Sequence, residues 1–255
     1  MPSVDKIHKI LELLRENFRT GLTNKEISEV LNIPSSTCYR ILASLKKHDL
    51  VYQRKPDLHY FLGFAHLRYA EAVIEGMDIS AICLPYLEGL HTETEETTFF
   101  TLLSGSHCVV MEMCGFTNVR ISVGLGEIMP LHCSATGKAV LAFLSKREQD
   151  RIFKNLELTG YTDHTVTEIE KLRRELEKIR KTGISYCMQE YHKGINAVAV
   201  PVFNNNNRVL GSIGMVGTSV DLDDEQMEEY GALLLSACVE ITERLGGTFP
   251  KELTT

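Results

Sequence analysis

The chain has 255 residues, of which 44% are hydrophobic and 24% charged, a composition typical of globular domains. No apolar run approaches the roughly 20 residues that a membrane-spanning helix needs. The first residues do not read as a secretory signal, so we expect a cytoplasmic protein without a membrane partner. Seven cysteines without paired spacing favour free thiols in a reducing compartment.

The net charge of −7 is distributed unevenly along the chain. Residues 1–60 hold ten Lys/Arg against seven Asp/Glu, whereas residues 61–255 hold 17 against 27. This split suits a small module that faces phosphates and a larger body that does not. It argues against a protein that coats nucleic acid through bulk charge.

The first 50 residues predict three short helices. Residues 4–17 form the first, with apolar side chains on one face. Thr23 and Glu26 predict a capping box at the start of the second, whose buried stripe includes Ile27 and Val30. Proline at the end of residues 32–34 stops that helix, because proline cannot continue one.

The third helix begins at Ser35 with hydroxyls and cations on its polar side. Two helices joined by a tight turn are how a recognition helix is presented to the DNA major groove. Residues 50–54 and 59–62 read as two strands of a hairpin, a wing with its basic tip at the turn. A plain helical hairpin without a DNA-binding role is the alternative.

The rest of the chain alternates between helices and strands. A helix over residues 64–75 predicts a stiff connector, and Thr167 with Glu170 predicts another capping box. The other predicted helices cover residues 79–92, 131–144, 145–155, 167–181 and 221–245. The predicted strands cover residues 97–103, 108–114, 119–123, 184–188, 197–203 and 209–216. The pattern indicates an α+β fold with an antiparallel sheet, not a doubly wound nucleotide fold.

Two motifs in the body resemble the IclR family of transcriptional regulators. Residues 126–142 read GEIMPLHCSATGKAVLA, against the family pattern G-x-x-x-P-L-H-x-x-A-x-G-K-A-x-L-A. Glu190 and Gly194, followed by Pro201-Val202, match a second family pattern. With a winged helix upstream, the resemblance covers nearly the whole chain.

The resemblance implies three parts: a winged helix-turn-helix over residues 1–63, a linker helix over 64–77, and a GAF-like ligand-binding domain over 78–255. It also implies homodimers or dimers of dimers that bind double-stranded operator DNA under the control of a small organic effector. The expected targets are catabolic genes. No enzyme activity, cofactor or metal is expected.

The predicted DNA contacts fall into two groups. The first turns of a recognition helix reach base edges, and Arg40 is the expected guanine reader. The cations farther along this helix and on the wing are expected to bind phosphates. The predicted residues are Ser35, Ser36, Thr37, Tyr39, Arg40, Lys46, Lys47, Arg54 and Lys55. For the two serines, simple capping of the helix is the alternative.

A helix beginning near His132 would offer unpaired amides to an anion. The resemblance implies that effector carboxylates are held there, at the backbone of Ala135 and Thr136, whereas Lys138 is expected to have a packing or surface role. The predicted effector residues are Leu125, Met129, His132, Cys133, Ala135, Thr136, Cys187, Glu190, Ala197, Gly214 and Val216. Phe99 and Met111 are further lining candidates, with ordinary core packing as their alternative.

Four of these positions carry polar side chains in family members that bind small keto acids. Here they are Cys187, Ala197, Gly214 and Val216, and none keeps the family residue. A pocket lined in this way is roomier and cannot hydrogen-bond a keto group there. The expected effector is therefore a larger aromatic or aliphatic compound, such as an acid, and not glyoxylate or pyruvate.

Two other functions use the same cysteines and histidines. A metal or thiol-redox sensor would draw on His107, Cys108, Cys114, His132, Cys133, Cys187 and His192, although their spacing is not that of a structural zinc site. A Cys-dependent hydrolase would use Cys133, with its pKa lowered at a helix start. No orienting acid for such a nucleophile is identifiable in the sequence.

Overall fold

A computed structural model describes residues 3–75, 78–115, 123–250 and 253. The chain divides into two compact units, Met1–Gly76 and Met77–Thr255. In the described part of the chain, no helix is both long and apolar enough to cross a membrane.

The N-terminal unit is a winged helix-turn-helix, as predicted. Its order is α1 (Ser3–Glu16), α2 (Asn24–Val30), α3 (Ser35–Lys47), β1 (Val51–Gln53), β2 (Tyr60–Leu62) and α4 (Ala65–Glu75). The three helices enclose a small core that includes Ile10, Leu14, Ile27 and Leu42. Strands β1 and β2 pair antiparallel and form the wing.

Local signals in this unit agree with the structure except at one position. The Thr23–Glu26 capping box is present, and α3 begins at Ser35. Val30, expected in the buried stripe, is 63% exposed. It is the last residue of α2, where the helix ends and its side chain turns away from the core.

The C-terminal unit is an antiparallel sheet with helices, which confirms the α+β prediction. Its elements are α5 (Asp78–Thr94), β3 (Thr97–Ser104), β4 (His107–Cys114), β5 (Ile128–Pro130), α6 (Ala135–Phe143), α7 (Lys146–Phe153), α8 (Ile169–Thr182), β6 (Ser185–Met188), β7 (Ile195–Phe203), β8 (Val209–Thr218) and α9 (Asp224–Arg244). The six described strands lie in the order β5-β4-β3-β8-β7-β6.

Helices cover both faces of this sheet. Thr98 donates a hydrogen bond to the Leu87 carbonyl of α5, and α9 packs beside α5. The next residue, Phe99, points to the opposite face, because neighbouring strand residues alternate. Helices α6 and α8 pack together, and α6 covers that second face. Burial on both faces explains why β7 reads as a nearly continuous apolar run.

Parts of this unit differ from the predictions. The helix expected over residues 131–144 begins only at Ala135, because residues 131–133 form a turn and Ser134 is the N-cap of the helix. Helix α8 starts after Glu168 without a side-chain cap from the described residues, so the Thr167 capping box is wrong. Strand β5 was not predicted, and the strand expected over 119–123 falls largely outside the described residues.

Candidate DNA interface and ligand pocket

The start of α3 is open to solvent. Pro34 is the N-cap, and none of the described side chains caps the helix. Ser35 and Ser36 are exposed, so the capping alternative for these serines is wrong. The first-turn amides of a helix have no acceptors within it, which leaves this end able to meet DNA.

Asn24 fixes the orientation of the first serine. Its side-chain amide donates to Ser35 Oγ at 2.8 Å and to the Ser35 carbonyl at 3.4 Å. Since Ser35 Oγ accepts this bond, its own O–H remains available to donate to another acceptor. Ser35 is therefore set up as a donor, suited to a phosphate oxygen or a purine N7.

The other predicted readers follow along the same helix. Tyr39 and Arg40 are exposed, and Thr37 is half-buried. Thr37 and Arg40 share a surface groove with Lys6 of α1. Helix α3 also presents Lys46 and Lys47, both exposed in its last turn.

The two cations of the wing differ: Arg54 is paired with a carboxylate, whereas Lys55 is exposed. Arg54 Nη2 lies 2.6 Å from Asp57 Oδ2, and its guanidinium lies 4.7 Å from the centre of the Phe61 ring. This hydrogen bond from Arg54 lowers the pKa of Asp57. Lys55 is exposed beside it. Of these two wing cations, Lys55 is thus the one whose charge is not shared with a carboxylate.

A pocket of about 390 Å³, its mouth included, lies between the start of α6 and the sheet. Its walls are mostly apolar and aromatic, as in ligand sites generally. The lining residues are Phe99, Val123, Met129, Ser134, Ala135, Thr136, Cys187, Tyr191, His192, Ile195, Ala197 and Val216.

The start of α6 forms the polar end of this pocket. Ser134 Oγ accepts a hydrogen bond from the Gly137 amide at 2.9 Å and donates to the Pro130 carbonyl at 2.6 Å. Thr136 is fully buried, and its Oγ1 has no hydrogen-bond partner among the described residues. A buried hydroxyl without a partner is costly, so a ligand that completes its bond gains affinity.

Six of the predicted effector residues line the pocket. They are Met129, Ala135, Thr136, Cys187, Ala197 and Val216, and the candidate Phe99 joins them. Met111, the other candidate, packs against the core outside the lining.

Five predicted effector residues lie outside the lining. Leu125 is 58% exposed, and His132 turns its Nε2 to the Thr159 carbonyl at 3.0 Å. Cys133 is buried before the helix starts. Gly214 lies behind the wall, where a Cβ would come within 3.2 Å of Thr136 Cγ2. The fifth, Glu190, is turned inward to pair with Lys138.

The lining residues that the sequence did not suggest as effector contacts are Val123, Ser134, Tyr191, His192 and Ile195. Tyr191 and His192 sit between β6 and β7, and only their closeness to Glu190 in the second motif pointed to them. Burial raises the pKa of Tyr191 to about 12 and lowers the pKa of His192. Both side chains are therefore neutral at pH 7.

A row of aromatic rings extends from His132 to the pocket wall. Tyr161 lies 6.0 Å from His132 and 4.9 Å from Tyr191, and Tyr191 lies 4.2 Å from His192, all between ring centres. Thr162 and Thr165 of the same segment donate to backbone carbonyls at 189 and 190. The segment around Tyr161 thus packs against the wall that Tyr191 and His192 form.

The buried thiols do not have the lowered pKa that a catalytic thiolate would need. All seven cysteines are free, and six are buried. Burial raises the pKa of Cys133 well above its usual range, which is opposite to the lowering that the hydrolase alternative requires. Burial also raises the pKa of Cys187 to about 11. Among the described residues, no three His, Cys, Asp or Glu side chains are grouped to hold a metal ion.

A winged helix-turn-helix with an open recognition helix, in one chain with a pocket-bearing α+β unit, defines a DNA-binding transcriptional regulator. The family model "IclR helix-turn-helix domain" matches residues 3–55. The model "Bacterial transcriptional regulator IclR C-terminal" matches residues 71–243. The chain belongs to the IclR family of transcriptional regulators, and it is not an enzyme.

Individual proteins are similar over nearly the full length. The transcriptional repressor IclR of Escherichia coli strain K12 is 27% identical, with 94% of this chain and 88% of that protein covered. The acetate operon repressor of Salmonella typhimurium strain LT2 is 26% identical, with coverage of 94% and 88%. The crystal structure of the Thermotoga maritima IclR matches with a TM-score of 0.77 and 29% sequence identity. The match covers 96% of this chain and 98% of that one.

Proposed function

We propose that a small organic acid binds in the C-terminal pocket and changes the affinity of this regulator for operator DNA. The observation that carries the proposal is the polar end of the pocket. There the start of α6 meets the buried Thr136 hydroxyl, which has no partner among the described residues. Helix N-termini attract carboxylates through free amides and the helix dipole. The amides of Ala135 and Thr136 are the expected carboxylate contacts.

The rest of the pocket favours an apolar body on that acid. Phe99, Met129, Ala197 and Val216 offer no hydrogen bonds to a keto or hydroxy group. A ligand with an aromatic ring or an aliphatic chain would bury its surface against them, at about 25 cal/mol per Å² of apolar area. We therefore expect an effector larger than glyoxylate or pyruvate.

On DNA, the start of α3 would read sequence and the surrounding cations would set register. Arg40 would pair with guanine, and Ser35 would donate from the position that Asn24 holds. Ser36, Thr37 and Tyr39 would complete the base contacts. Lys46, Lys47 and Lys55 would bind phosphates, with Arg54 contributing less because Asp57 shares its charge.

The regulator would act in the cytoplasm as a homodimer or a dimer of dimers, because paired recognition helices bind two half-sites. The effector signal would pass from the domain of 78–255 to the winged helix of residues 1–63 through the linker of 64–77. A coupling of about 1–3 kcal/mol changes operator affinity ~5–150-fold. The Salmonella relative is named as the repressor of an acetate operon, and by analogy this regulator would control an operon, which we expect to be catabolic.

A thermal-shift screen of the full-length protein with aromatic and aliphatic monocarboxylates tests the proposal. Acids that bind the folded state raise the unfolding temperature by an amount that grows with the ratio of their concentration to their Kd. We expect stabilisation by acids of benzoate or hexanoate size and little by glyoxylate or pyruvate. Stabilisation by the two keto acids alone would contradict the effector class, and stabilisation equally strong in Thr136→Val would contradict the site.

A further inference from the structure

Lys138 is a buried cation next to the pocket. Its two carboxylate partners among the described residues do not belong to the pocket lining. Lys138 lies on α6 two residues after Thr136 and is 2% exposed. Its Nζ lies 2.5 Å from Glu190 Oε1 and 3.0 Å from Glu175 Oε2. The ammonium therefore joins α6 to α8 and to the segment between β6 and β7.

Stability alone does not account for this arrangement. Burial opposes the charged form of Lys138, but the carboxylates of Glu190 and Glu175 outweigh it and raise the pKa of Lys138. Apolar residues of similar volume often replace a buried ion pair at no cost. One ammonium also faces two carboxylates, and Glu190 Oε2 has no hydrogen-bond partner in the described part of the chain.

The position of Glu190 indicates what the ion pair does. The next two residues are Tyr191 and His192, which form one wall of the pocket, while α6 supplies the polar end. The Glu190 carbonyl accepts from Thr165 Oγ1 at 2.6 Å, so this point of the chain is held from both sides. Gln189 closes the segment by accepting from the Gly194 amide at 3.0 Å.

We infer that Lys138 is a positioning residue that fixes segment 189–194 against the start of α6, so that Tyr191 and His192 face the same ligand as Thr136. The role of Lys138 in ligand binding rests on the proposed function. Its effect on the order of segment 189–194 does not, and can be measured without a ligand. Lys138 would not pair with the effector carboxylate, because its charge is already shared by two carboxylates.

Hydrogen exchange on the full-length protein without ligand tests the inference. In Lys138→Met, amides of segment 189–194 are expected to exchange at least about tenfold faster. Amide exchange depends on local opening of the backbone, and loss of the ion pair makes this segment open more often. Peptides from the centre of β7 and from α3 serve as internal references and are expected to change little. Glu175→Gln, which removes the outer and more exposed carboxylate, is expected to have a smaller effect.

Lys138→Met leaves Glu190 as a buried charge without its cation, so the single variant is at risk of misfolding. The double variant Lys138→Met/Glu190→Gln removes both charges and keeps the test possible. It is expected to speed exchange of segment 189–194 as well. Unchanged exchange there in either folded variant, or equal acceleration throughout the protein, would overturn the positioning role.

The two proposals fail in different ways. If no monocarboxylate stabilises the wild-type protein, the proposed effector class is wrong, while the exchange result still decides the role of Lys138. If acids bind but segment 189–194 exchanges normally in the variants, the pocket stands and the positioning role is wrong.

Discussion

Helices α3 and α6 begin in opposite surroundings. The first residues of α3, Ser35 and Ser36, are exposed, and its N-cap is a proline that offers no side-chain bond. The first residues of α6, Ala135 and Thr136, are at most 2% exposed behind a serine cap. The same helix-end chemistry would therefore serve ligands of different size under the proposed function, because an open end can admit a DNA duplex and an enclosed end only a small molecule.

The enclosure of α6 depends on Gly137. A Cβ there would lie 2.3 Å from the Pro130 carbonyl oxygen and 2.6 Å from Leu131 Cα, both backbone atoms. We expect Gly137→Ala to destabilise the protein by about 1–3 kcal/mol, because the backbone must shift to accept it. Thermal unfolding measures the change.

Gly89 in α5 is the matched control. Apart from its chain neighbours and the backbone of its own helix, no atom of the described residues lies within 4 Å of a Cβ built there. Gly89→Ala is expected to stabilise by about 0.4–1 kcal/mol through the unfolded chain. An unfolding temperature for Gly137→Ala at or above that of the wild type would show that α6 is not tightly enclosed.

Because Arg40 is exposed on α3, we expect Arg40→Ala to lose discrimination between the operator and other DNA sequences. A bidentate arginine–guanine contact discriminates by about 1–3 kcal/mol, which is ~5–150-fold between operator and a base-substituted site. Anisotropy titrations with both duplexes at one salt concentration measure it. Arg15→Ala, an exposed arginine on α1, is the control. Equal discrimination by Arg40→Ala and wild type would remove Arg40 from readout.

Lys55→Ala is expected to weaken binding without changing preference. Loss of one phosphate contact lowers the slope of log K against log salt by about 1 and affects all duplexes alike. Titrations at several salt concentrations check this. Lys154→Ala, an exposed lysine at the end of α7, should leave the slope unchanged. A changed sequence preference in Lys55→Ala would assign it a base contact.

The smallest expected effect concerns pH. Burial lowers the pKa of His192 and of His132, so both rings stay neutral above pH 6.5 and supply no positive charge to a bound acid. Affinity for the effector should therefore not rise as pH falls from 8 to 6.5, as isothermal titration would show. A marked rise would mean that an imidazolium pairs with the carboxylate.

The difference between the two helix ends also explains what the sequence predicted well. The start of α3 follows from neighbouring residues: a capping box at Thr23, a break at Pro34 and helical spacing after it. The exposure of Ser35 and Arg40 follows from the same spacing. The hydrogen bond between Ser35 and Asn24, 11 residues away, could not be predicted, because it depends on how α2 and α3 pack in space.

The pocket was only partly predictable, because its walls come from distant segments. The family motif identified Ala135 and Thr136, and late strands supplied Ala197 and Val216. Tyr191 and His192 belong to an irregular segment without a periodic pattern. Glu190 was assigned to the effector, but its partner Lys138 lies 52 residues away and turns it inward.

Operator affinity measured with and without acid, in wild type and Thr136→Val, tests the link between the two helix ends most directly. With the acid that gives the largest thermal shift, wild-type affinity should change ~5–150-fold. Thr136→Val should bind operator equally well without acid and need about tenfold more acid for the same change, because it lacks the hydroxyl bond to a charged group. An acid that stabilises the wild-type protein but leaves its operator affinity unchanged would contradict the account.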